Sequence, residues 1–325
     1  MYYPMTPVYP SFETFGPIPS RRLGRSLGLN NIPPKFCSYS CVYCQVGSAR
    51  NTQVERREFY NPKEIAKKVK AKVEQLRANE EIIDYLSFVP DGEPTLDVNL
   101  GKEIEMLKSL GIKIAVISNG SLTYEKGVRR DLLKADWVSL KLDAASEEVW
   151  RRINRPSGLL KWESICRGMF EFAREYKGEL TSETMLIRGI NDDEREIRKI
   201  ADFLSELKPA KSYISIPIRP PAERWVKPAE EEAVNIAYQI FSAELDEVEL
   251  LIGYEGDNFF SAGNIAEDLL AITSVHPMRR EAVEKLLQRA GAKWEVIERL
   301  IEEDKIKEVR YAGKRFYLRV MGSPC

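Results

Sequence analysis

Short apolar runs alternate with longer amphipathic stretches over most of the chain, from about residue 26 to residue 252. The short runs are rich in β-branched residues, and the early ones lack the strict alternation of a sheet with one wet face. We interpret them as buried strands. They lie at residues 26–31, 84–89, 112–117, 137–143, 180–187, 212–217 and 247–252.

The stretches between these strands carry the end signals of helices. Asn61, Pro62 and Glu64 combine a capping side chain, a first-turn proline and an early acid. Gly111 and Gly178 are expected to end two further helices. Repeated strand–helix–strand units of this size predict a parallel sheet covered by helices, and six or seven units favour a partial (β/α)6 TIM-like barrel of the α/β class.

The pattern changes after about residue 256. Amphipathic helices are predicted at 281–288 and 294–304, and a β-hairpin follows with strands at 306–311 and 314–320. Helices followed by a hairpin are the layout of a winged helix-turn-helix, so a C-terminal winged-helix domain is expected. The predicted segments are an N-terminal extension at 1–25, the barrel at 26–255, a linker at 256–275 and the winged helix-turn-helix at 276–325.

Composition excludes several classes of protein. The 325 residues include 49 basic and 50 acidic side chains, for a formal net charge of -1, so the chain does not coat nucleic acid through overall positive charge. No run approaches the roughly 18 apolar residues of a transmembrane helix. The segment Met1-Tyr2-Tyr3-Pro4 lacks the layout of a secretory signal. A cytoplasmic protein with no membrane partner is expected.

The charge is unevenly distributed. Residues 276–325 hold 12 basic and 8 acidic side chains, and residues 1–60 hold 7 basic and 3 acidic ones. Basic ends therefore flank an acidic centre, which is compatible with RNA binding through the C-terminal domain. Arg310, Lys314 and Arg315 lie on the predicted wing. Winged helices also dock proteins or close active sites, and the charge pattern does not separate these roles.

Three of the five cysteines, Cys37, Cys41 and Cys44, occur within eight residues. An odd cysteine count argues against a disulfide framework, and thiolates at this spacing converge on one soft-metal centre. Three thiolates hold three irons of a [4Fe–4S] cluster and leave the fourth iron open to a ligand. Cys166 and Cys325 are isolated and are expected to play no part.

Two other kinds of site are alternatives to an iron–sulfur cluster. Structural zinc needs a fourth ligand, and the single histidine, His276, lies far away along the chain. A thioredoxin-like pair formed by Cys41 and Cys44 leaves Cys37 unexplained. The cluster interpretation accounts for all three cysteines.

The CxxxCxxC spacing, with Tyr43 just before the last cysteine, resembles the motif of the radical S-adenosylmethionine (SAM) superfamily over about residues 15–255. Residues 16–28 and 44–47 are similar to a subgroup that includes the 4-demethylwyosine synthases, which act on tRNA. The resemblance implies a [4Fe–4S] cluster and SAM as cofactors. It also implies reductive cleavage of SAM to a 5′-deoxyadenosyl radical, and a low-potential electron donor such as ferredoxin or flavodoxin.

The resemblance further implies where SAM is bound. Asp91-Gly92-Glu93-Pro94 resembles the family's GGE motif, although an ordinary Asp-Gly turn is the plainer alternative. Alternate positions of the fourth predicted strand share one face, which here is polar. The residues expected to contact the cofactor are Tyr43, Gly92, Glu93, Asn119, Ser139, Asp143 and Asn191.

Two basic residues are candidates for the reaction itself. Lys141 lies on the fourth strand and is either a substrate-binding group or part of a charged pair on the barrel floor. Arg219 follows the sixth strand in a proline-rich segment, where it either clamps a phosphate or carboxylate or belongs to a rigid rim loop.

Three hypotheses describe the function. The first is hydrogen abstraction from an RNA base, in tRNA. The second is the same chemistry on a protein or small molecule, with the winged helix as a docking domain. The third is a transcriptional regulator that senses through its cluster. In the family, wyosine synthases carry a second cluster on cysteines upstream of the motif. No cysteine precedes Cys37, so that particular reaction is not expected.

Overall fold

The computed structural model describes residues 12–49, 52–253, 259 and 264–320. The start of the predicted N-terminal extension, the start of the predicted linker, the end of the predicted winged helix-turn-helix and Cys325 lie outside these residues.

Eight strands form one curved sheet in which each strand lies beside its neighbour in sequence. Strands β2 to β8 are parallel, whereas β1 is antiparallel to β2. The strands are β1 (Thr14–Ser20), β2 (Gly24–Leu29), β3 (Tyr85–Phe88), β4 (Lys113–Ser118), β5 (Trp137–Lys141), β6 (Glu179–Met185), β7 (Lys211–Ser215) and β8 (Val248–Leu251).

Helices connect each pair of parallel strands and cover the sheet. The helices are α1 (Pro62–Ala78), α2 (Leu100–Leu107), α3 (Lys126–Leu132), α4 (Glu147–Asn154), α5 (Trp162–Glu175), α6 (Glu194–Leu207) and α7 (Glu231–Glu244). Six strand–helix crossovers with a sheet that remains open confirm the predicted partial (β/α)6 barrel.

The helix signals read from the sequence were correct in two cases of three. Asn61 caps α1 through its side chain, and Gly111 adopts a left-handed conformation (φ 68°) after the turn that follows α2. The prediction that Gly178 ends a helix was wrong, because α5 ends at Glu175. Gly178 instead lies close to Tyr176 and to the Asp136 carbonyl, where a Cβ would not fit.

Strand β1 was not predicted, and it lies within the segment expected to be an N-terminal extension. Its sequence contains Pro17 and Pro19, which are incompatible with a central strand. Because β1 is at the edge of the sheet, these prolines break few ladder hydrogen bonds, and the register with β2 shifts between Phe15 and Ile18.

The C-terminal region packs around its own small core, which includes Leu269, Leu286 and Leu300. It consists of α8 (Ile265–Val275), β9 (Met278–Arg279), α9 (Arg280–Arg289), α10 (Glu295–Glu302), β10 (Ile306–Tyr311) and β11 (Lys314–Arg319). The predicted hairpin is present, and β9 completes a three-stranded antiparallel sheet. Helix α8, within the predicted linker, was not expected.

The C-terminal region contacts the barrel at the open end of the sheet. Helix α8 packs against β1, and Ile18 of β1 joins the C-terminal core. The Tyr311 hydroxyl donates a hydrogen bond of 2.8 Å to the carbonyl of Pro217. In the described residues, no helix is long and apolar enough to cross a membrane.

Candidate cofactor and active site

The three predicted cysteines lie in the loop that follows β2, at the carboxyl ends of the parallel strands. Backbone hydrogen bonds hold this loop: Val42 N donates to Ile153 O at 2.9 Å, and Ser157 N donates to Ser38 O at 2.9 Å. The side chain of Val42 is fully buried and anchors the centre of the loop. The loop is therefore fixed by α4 and the segment after it.

Cys37, Cys41 and Cys44 line one cavity of about 310 Å³. Burial raises the pKa of the Cys41 thiol to about 12, and burial also raises the pKa of Cys37 and Cys44. A buried thiolate of this kind needs a cationic partner, which an iron–sulfur cluster provides. The donor set and its surroundings fit a three-cysteine [4Fe–4S] site.

Two amides support the cysteine sulfurs. Asn154 Nδ2 lies 3.3 Å from the Cys41 Sγ, and Asn119 Nδ2 lies 3.6 Å from the Cys37 Sγ. Hydrogen bonds to sulfur stabilise thiolates and help to set the reduction potential of a cluster. Asn119 was predicted as a cofactor contact, and the structure places its amide on the cysteine loop. Asn154 was missed because it lies on α4, 113 residues after Cys41, and only the fold brings the two together.

Gly92 passes directly beneath the cysteine loop. It has a φ of 156°, and a Cβ there would lie 1.9 Å from the Phe36 carbonyl oxygen. The Glu93 backbone N donates to that same oxygen at 3.0 Å. Only glycine permits this close approach of the two chains. The sequence motif therefore marks a tight backbone crossing beside Cys37.

The Glu93 carboxylate is buried and accepts four hydrogen bonds. Its donors are the Thr95 backbone N and hydroxyl, the Ser118 hydroxyl and the Asn119 backbone N, at 2.6–3.1 Å. In the described part of the chain, the cavity is lined by Asp91 and Gly92 rather than by Glu93. Asp91 was not predicted as a site residue. Burial raises the pKa of the Asp91 carboxyl to about 6, although the nearby Lys35 ammonium acts to lower it.

Asp143 is the centre of a buried network beneath Tyr43. The Tyr43 hydroxyl donates to one Asp143 carboxylate oxygen, and Asn154 Nδ2 donates to the same oxygen at 2.7 Å. Tyr43 lines the cavity, whereas Asp143 is nearly fully buried. Asp143 therefore orients both the tyrosine and the asparagine that supports Cys41.

Asn191 and Ser139 lie below the cavity. The Asn191 side chain accepts from Ile187 N at 2.8 Å and donates to the carbonyls of Asp143 and Met185. These contacts fix the loop after β6. Ser139 is fully buried inside the barrel. Neither residue is among those that line the cavity in the described chain.

Lys141 and Glu183 form an ion pair of 3.1 Å in the cavity wall, and Arg22 contacts the same carboxylate. Burial opposes ionisation of Glu183, but Lys141 and Arg22 lower its pKa to about 2. Glu183 and Asp143 together keep the pKa of Lys141 raised despite its burial. Lys141 is therefore a fixed cation. Arg22 and Glu183 were not among the predicted site residues, since only the fold brings them together.

Arg219 closes the cavity together with the C-terminal region. It donates to the Gln45 side-chain oxygen at 2.9 Å, and one of its nitrogens lies 3.2 Å from the His276 Nε2. Gln45 in turn donates to the Val275 carbonyl at 2.8 Å. Arg219, Gln45, Val275 and His276 all line the cavity. The end of α8 is thus part of the site wall, which the sequence did not predict.

Comparisons with known proteins identify the class. Residues 31–204 match the family model of the radical SAM superfamily. The chain belongs to this superfamily, whose members use a [4Fe–4S] cluster and SAM and need an external reductant. It is an enzyme of this class, so the resemblance seen in the cysteine motif is confirmed and the regulator hypothesis is not supported.

Relatives that match nearly the whole chain carry the name UPF0026 protein. The chain is 48% identical to UPF0026 protein MJ1312 of Methanocaldococcus jannaschii over 307 residues, which are 94% of this chain and 95% of that protein. It is 30% identical to the UPF0026 protein of Helicobacter pylori strain J99, over 93% of this chain and 96% of that protein. The structure of TYW1 with a lysine-pyruvate adduct bound shares the fold, with a TM-score of 0.51 and 21% identity over 68% of this chain and 74% of that chain.

Proposed function

We propose that this enzyme binds its cluster through Cys37, Cys41 and Cys44 and abstracts hydrogen from a substrate held in the same cavity. When bound, the reduced cluster supplies the electron that splits SAM into methionine and a 5′-deoxyadenosyl radical. The observation that carries this proposal is the convergence of three cysteine side chains on a cavity shared with Lys141 and Glu183.

The residues around the cavity divide into contacts and supports. Tyr43, Gly92 and Asp91 line the cavity beside the cysteines, so we assign them to SAM binding. Residues that accept or donate hydrogen bonds behind this wall act by holding it in place. These supports are Glu93, Asn119, Asp143 and Asn191. Ser139 lies deeper, and no role in cofactor binding is assigned to it.

Lys141 and Arg219 are proposed to bind the substrate. Lys141 keeps its charge because Glu183 and Asp143 face it, so it provides a fixed positive charge rather than a nucleophile. Arg219 holds the barrel rim against His276, so it orients a substrate at the place where the C-terminal region closes the cavity.

The substrate class proposed is an RNA base presented by the C-terminal region. The order of its helices and strands is that of a winged helix-turn-helix, with β10 and β11 as the wing. Arg310 and Arg315 are paired directly across this hairpin, and both are exposed, as is Lys314. Like charges opposite each other are destabilising; Glu308, 4.0 Å from Arg315, offsets part of this repulsion, and a bound phosphate offsets more of it.

The hairpin is a better RNA contact than α10. Helix α10 carries Glu295, Glu298 and Glu302 against a single Arg299, so its net charge is negative. Contact through the wing, together with the resemblance to the tRNA-acting 4-demethylwyosine synthases, supports an RNA substrate over a protein substrate.

Anaerobic turnover tests the SAM chemistry. Cluster-loaded protein with SAM and dithionite is expected to release 5′-deoxyadenosine, measured by chromatography. Absence of release from the cluster-loaded wild type contradicts the proposal.

RNA binding is tested separately by a gel shift with tRNA. The Arg310→Glu/Arg315→Glu variant is expected to bind about tenfold more weakly at low salt, with less difference at high salt. Lys67→Glu/Lys102→Glu, on exposed positions of α1 and α2, is the control with the same charge change. If both variants bind tRNA equally well, the wing is not the RNA contact.

A further inference from the structure

Two loops cover the side of the cysteine loop that faces away from the cavity. One is formed by the end of α4 and by residues 155–161, which connect α4 to α5, and the other by residues 220–226, which follow β7. Val42 N donates to Ile153 O at 2.9 Å, and Glu223 N donates to Val42 O at 3.0 Å. In the described chain, neither loop lines the cavity. They therefore separate the cysteines from solvent on the outer side of the site.

Exposed apolar and basic side chains share this surface, which we call the outer patch. Leu159 is 78% exposed and Trp225 is 50% exposed, although large apolar side chains are normally covered. An ion pair between Arg155 and Glu223 joins the two loops. The outer patch consists of Arg152, Arg155, Leu159, Lys161, Arg224, Trp225 and Lys227, all of them exposed.

The outer patch has a net positive charge, although Arg155 pairs with Glu223, and Arg151 beside the patch pairs with Glu147. Residues 151–161 include four basic side chains and no acidic one. Residues 220–227 add Arg224 and Lys227 against Glu223 alone. Tryptophan and arginine are enriched at the energetically important positions of protein interfaces, and a positive field favours an acidic partner.

One hydrogen bond connects the outer patch to the cysteines. Asn154 donates to the Cys41 Sγ at 3.3 Å, and its neighbour Arg155 is exposed. The cavity side is needed for SAM and substrate, so the electron that the superfamily's chemistry requires has to enter from elsewhere.

We propose that the outer patch docks an acidic protein that carries a single low-potential electron. The inference rests on the proposed function, because it assumes a cluster on the three cysteines. One electron leaves the carrier and enters the oxidised cluster, and no bond forms or breaks at the patch.

The test compares a protein reductant with a small one. Arg152→Glu/Arg224→Glu reverses two exposed charges, and in the described part of the chain neither arginine makes an ion pair. Reduced flavodoxin and reduced ferredoxin serve as protein reductants, and dithionite is the small reductant. The comparison uses whichever of the two carriers supports turnover by the wild type. With that carrier, the variant is expected to release 5′-deoxyadenosine about tenfold more slowly than the wild type at low salt. With dithionite it is expected to stay within twofold of the wild type.

Direct binding provides a readout that does not depend on turnover. Oxidised carrier, titrated against each protein and followed by calorimetry, is expected to bind the variant about tenfold more weakly, and 0.5 M NaCl is expected to narrow the difference. Lys67→Glu/Lys102→Glu is the matched control and is expected to bind like the wild type. A second variant, Leu159→Ser/Trp225→Ser, is expected to weaken binding without this salt dependence.

The outcomes separate the two proposals. If the wild type releases no 5′-deoxyadenosine with dithionite, the proposed function fails, and the binding titration still reports on the patch. Equal carrier binding and equal turnover by the wild type and Arg152→Glu/Arg224→Glu overturn the docking proposal. Loss of tRNA binding with intact carrier binding also overturns it, and assigns the patch to RNA. Binding of neither carrier by the wild type overturns it as well.

Discussion

Glu183→Gln is expected to destabilise the barrel, because it leaves Lys141 and Arg22 buried without their shared carboxylate. These two cations and Glu183 have side chains only 11–17% exposed. The pKa of Glu183 falls from 4.5 to about 2 in the folded protein. At about 1.4 kcal/mol per pKa unit, the charged carboxylate contributes roughly 3 kcal/mol at neutral pH. Removing one partner of a buried pair typically costs about 3–5 kcal/mol, which agrees.

The contribution has a defined pH dependence. Because the folded pKa lies below the unfolded one, the stabilisation is complete above about pH 4.5 and is lost as the pH falls towards 2. Guanidinium unfolding at pH 7, with wild type and variant at equal cluster loading, is expected to show a loss of about 3 kcal/mol. The melting temperature is expected to fall by roughly 6–12 °C.

Glu147→Gln is the matched control for this prediction. Glu147 pairs with Arg151 at 2.7 Å, but both side chains are about half exposed. An exposed pair of this spacing contributes about 0.3–0.5 kcal/mol. A loss below about 1 kcal/mol for Glu183→Gln, or a loss that does not shrink as the pH falls below 4.5, refutes the reasoning.

Three further predictions concern the cofactor site. Cys41→Ala is expected to abolish both the brown absorbance of the cluster and the release of 5′-deoxyadenosine. Cys166→Ala is expected to leave both unchanged, and a reversed pattern contradicts the assignment. Asn154→Leu removes a donor to the Cys41 sulfur, so the cluster midpoint potential, followed by potentiometric EPR, is expected to become more negative; an unchanged midpoint contradicts this role. Gly92→Ala places a Cβ against the Phe36 carbonyl and is expected to cost about 1–3 kcal/mol in thermal unfolding and to weaken SAM binding, measured by calorimetry. Unaltered SAM affinity argues against a role for Gly92 in SAM binding.

The contact between α8 and the barrel lies beside the cysteine loop. Gln45 lies immediately after Cys44, and its side chain bonds to both Arg219 and the Val275 carbonyl. In the proposed function, a substrate held by the C-terminal region meets the cavity at these residues. This arrangement agrees with the proposal that the C-terminal region presents an RNA base to the cavity.

The sequence by itself determined the periodic features and the local chemistry. Apolar runs of strand length separated by amphipathic stretches are set by which residues avoid water, so the seven parallel strands could be predicted. The three cysteines could be assigned because their spacing lies within one loop. Local sequence signals did not predict β1, because its prolines are tolerated only in a strand at the edge of a sheet, and the sequence does not show which strand is at the edge.

Only the tertiary structure decided which distant residues share the site. Arg22, Glu183 and Asn154 lie far apart along the chain. Nothing in their local sequence indicates that Arg22 and Lys141 share the Glu183 carboxylate, or that Asn154 meets Cys41. The fold also turns the Glu93 carboxylate towards the end of β4, and brings Asp91 to the cavity instead. Burial and charge pairing depend on three-dimensional neighbours, which spacing along the chain does not encode. For that reason the sequence located the cysteine centre, while the fold defined the cavity around it.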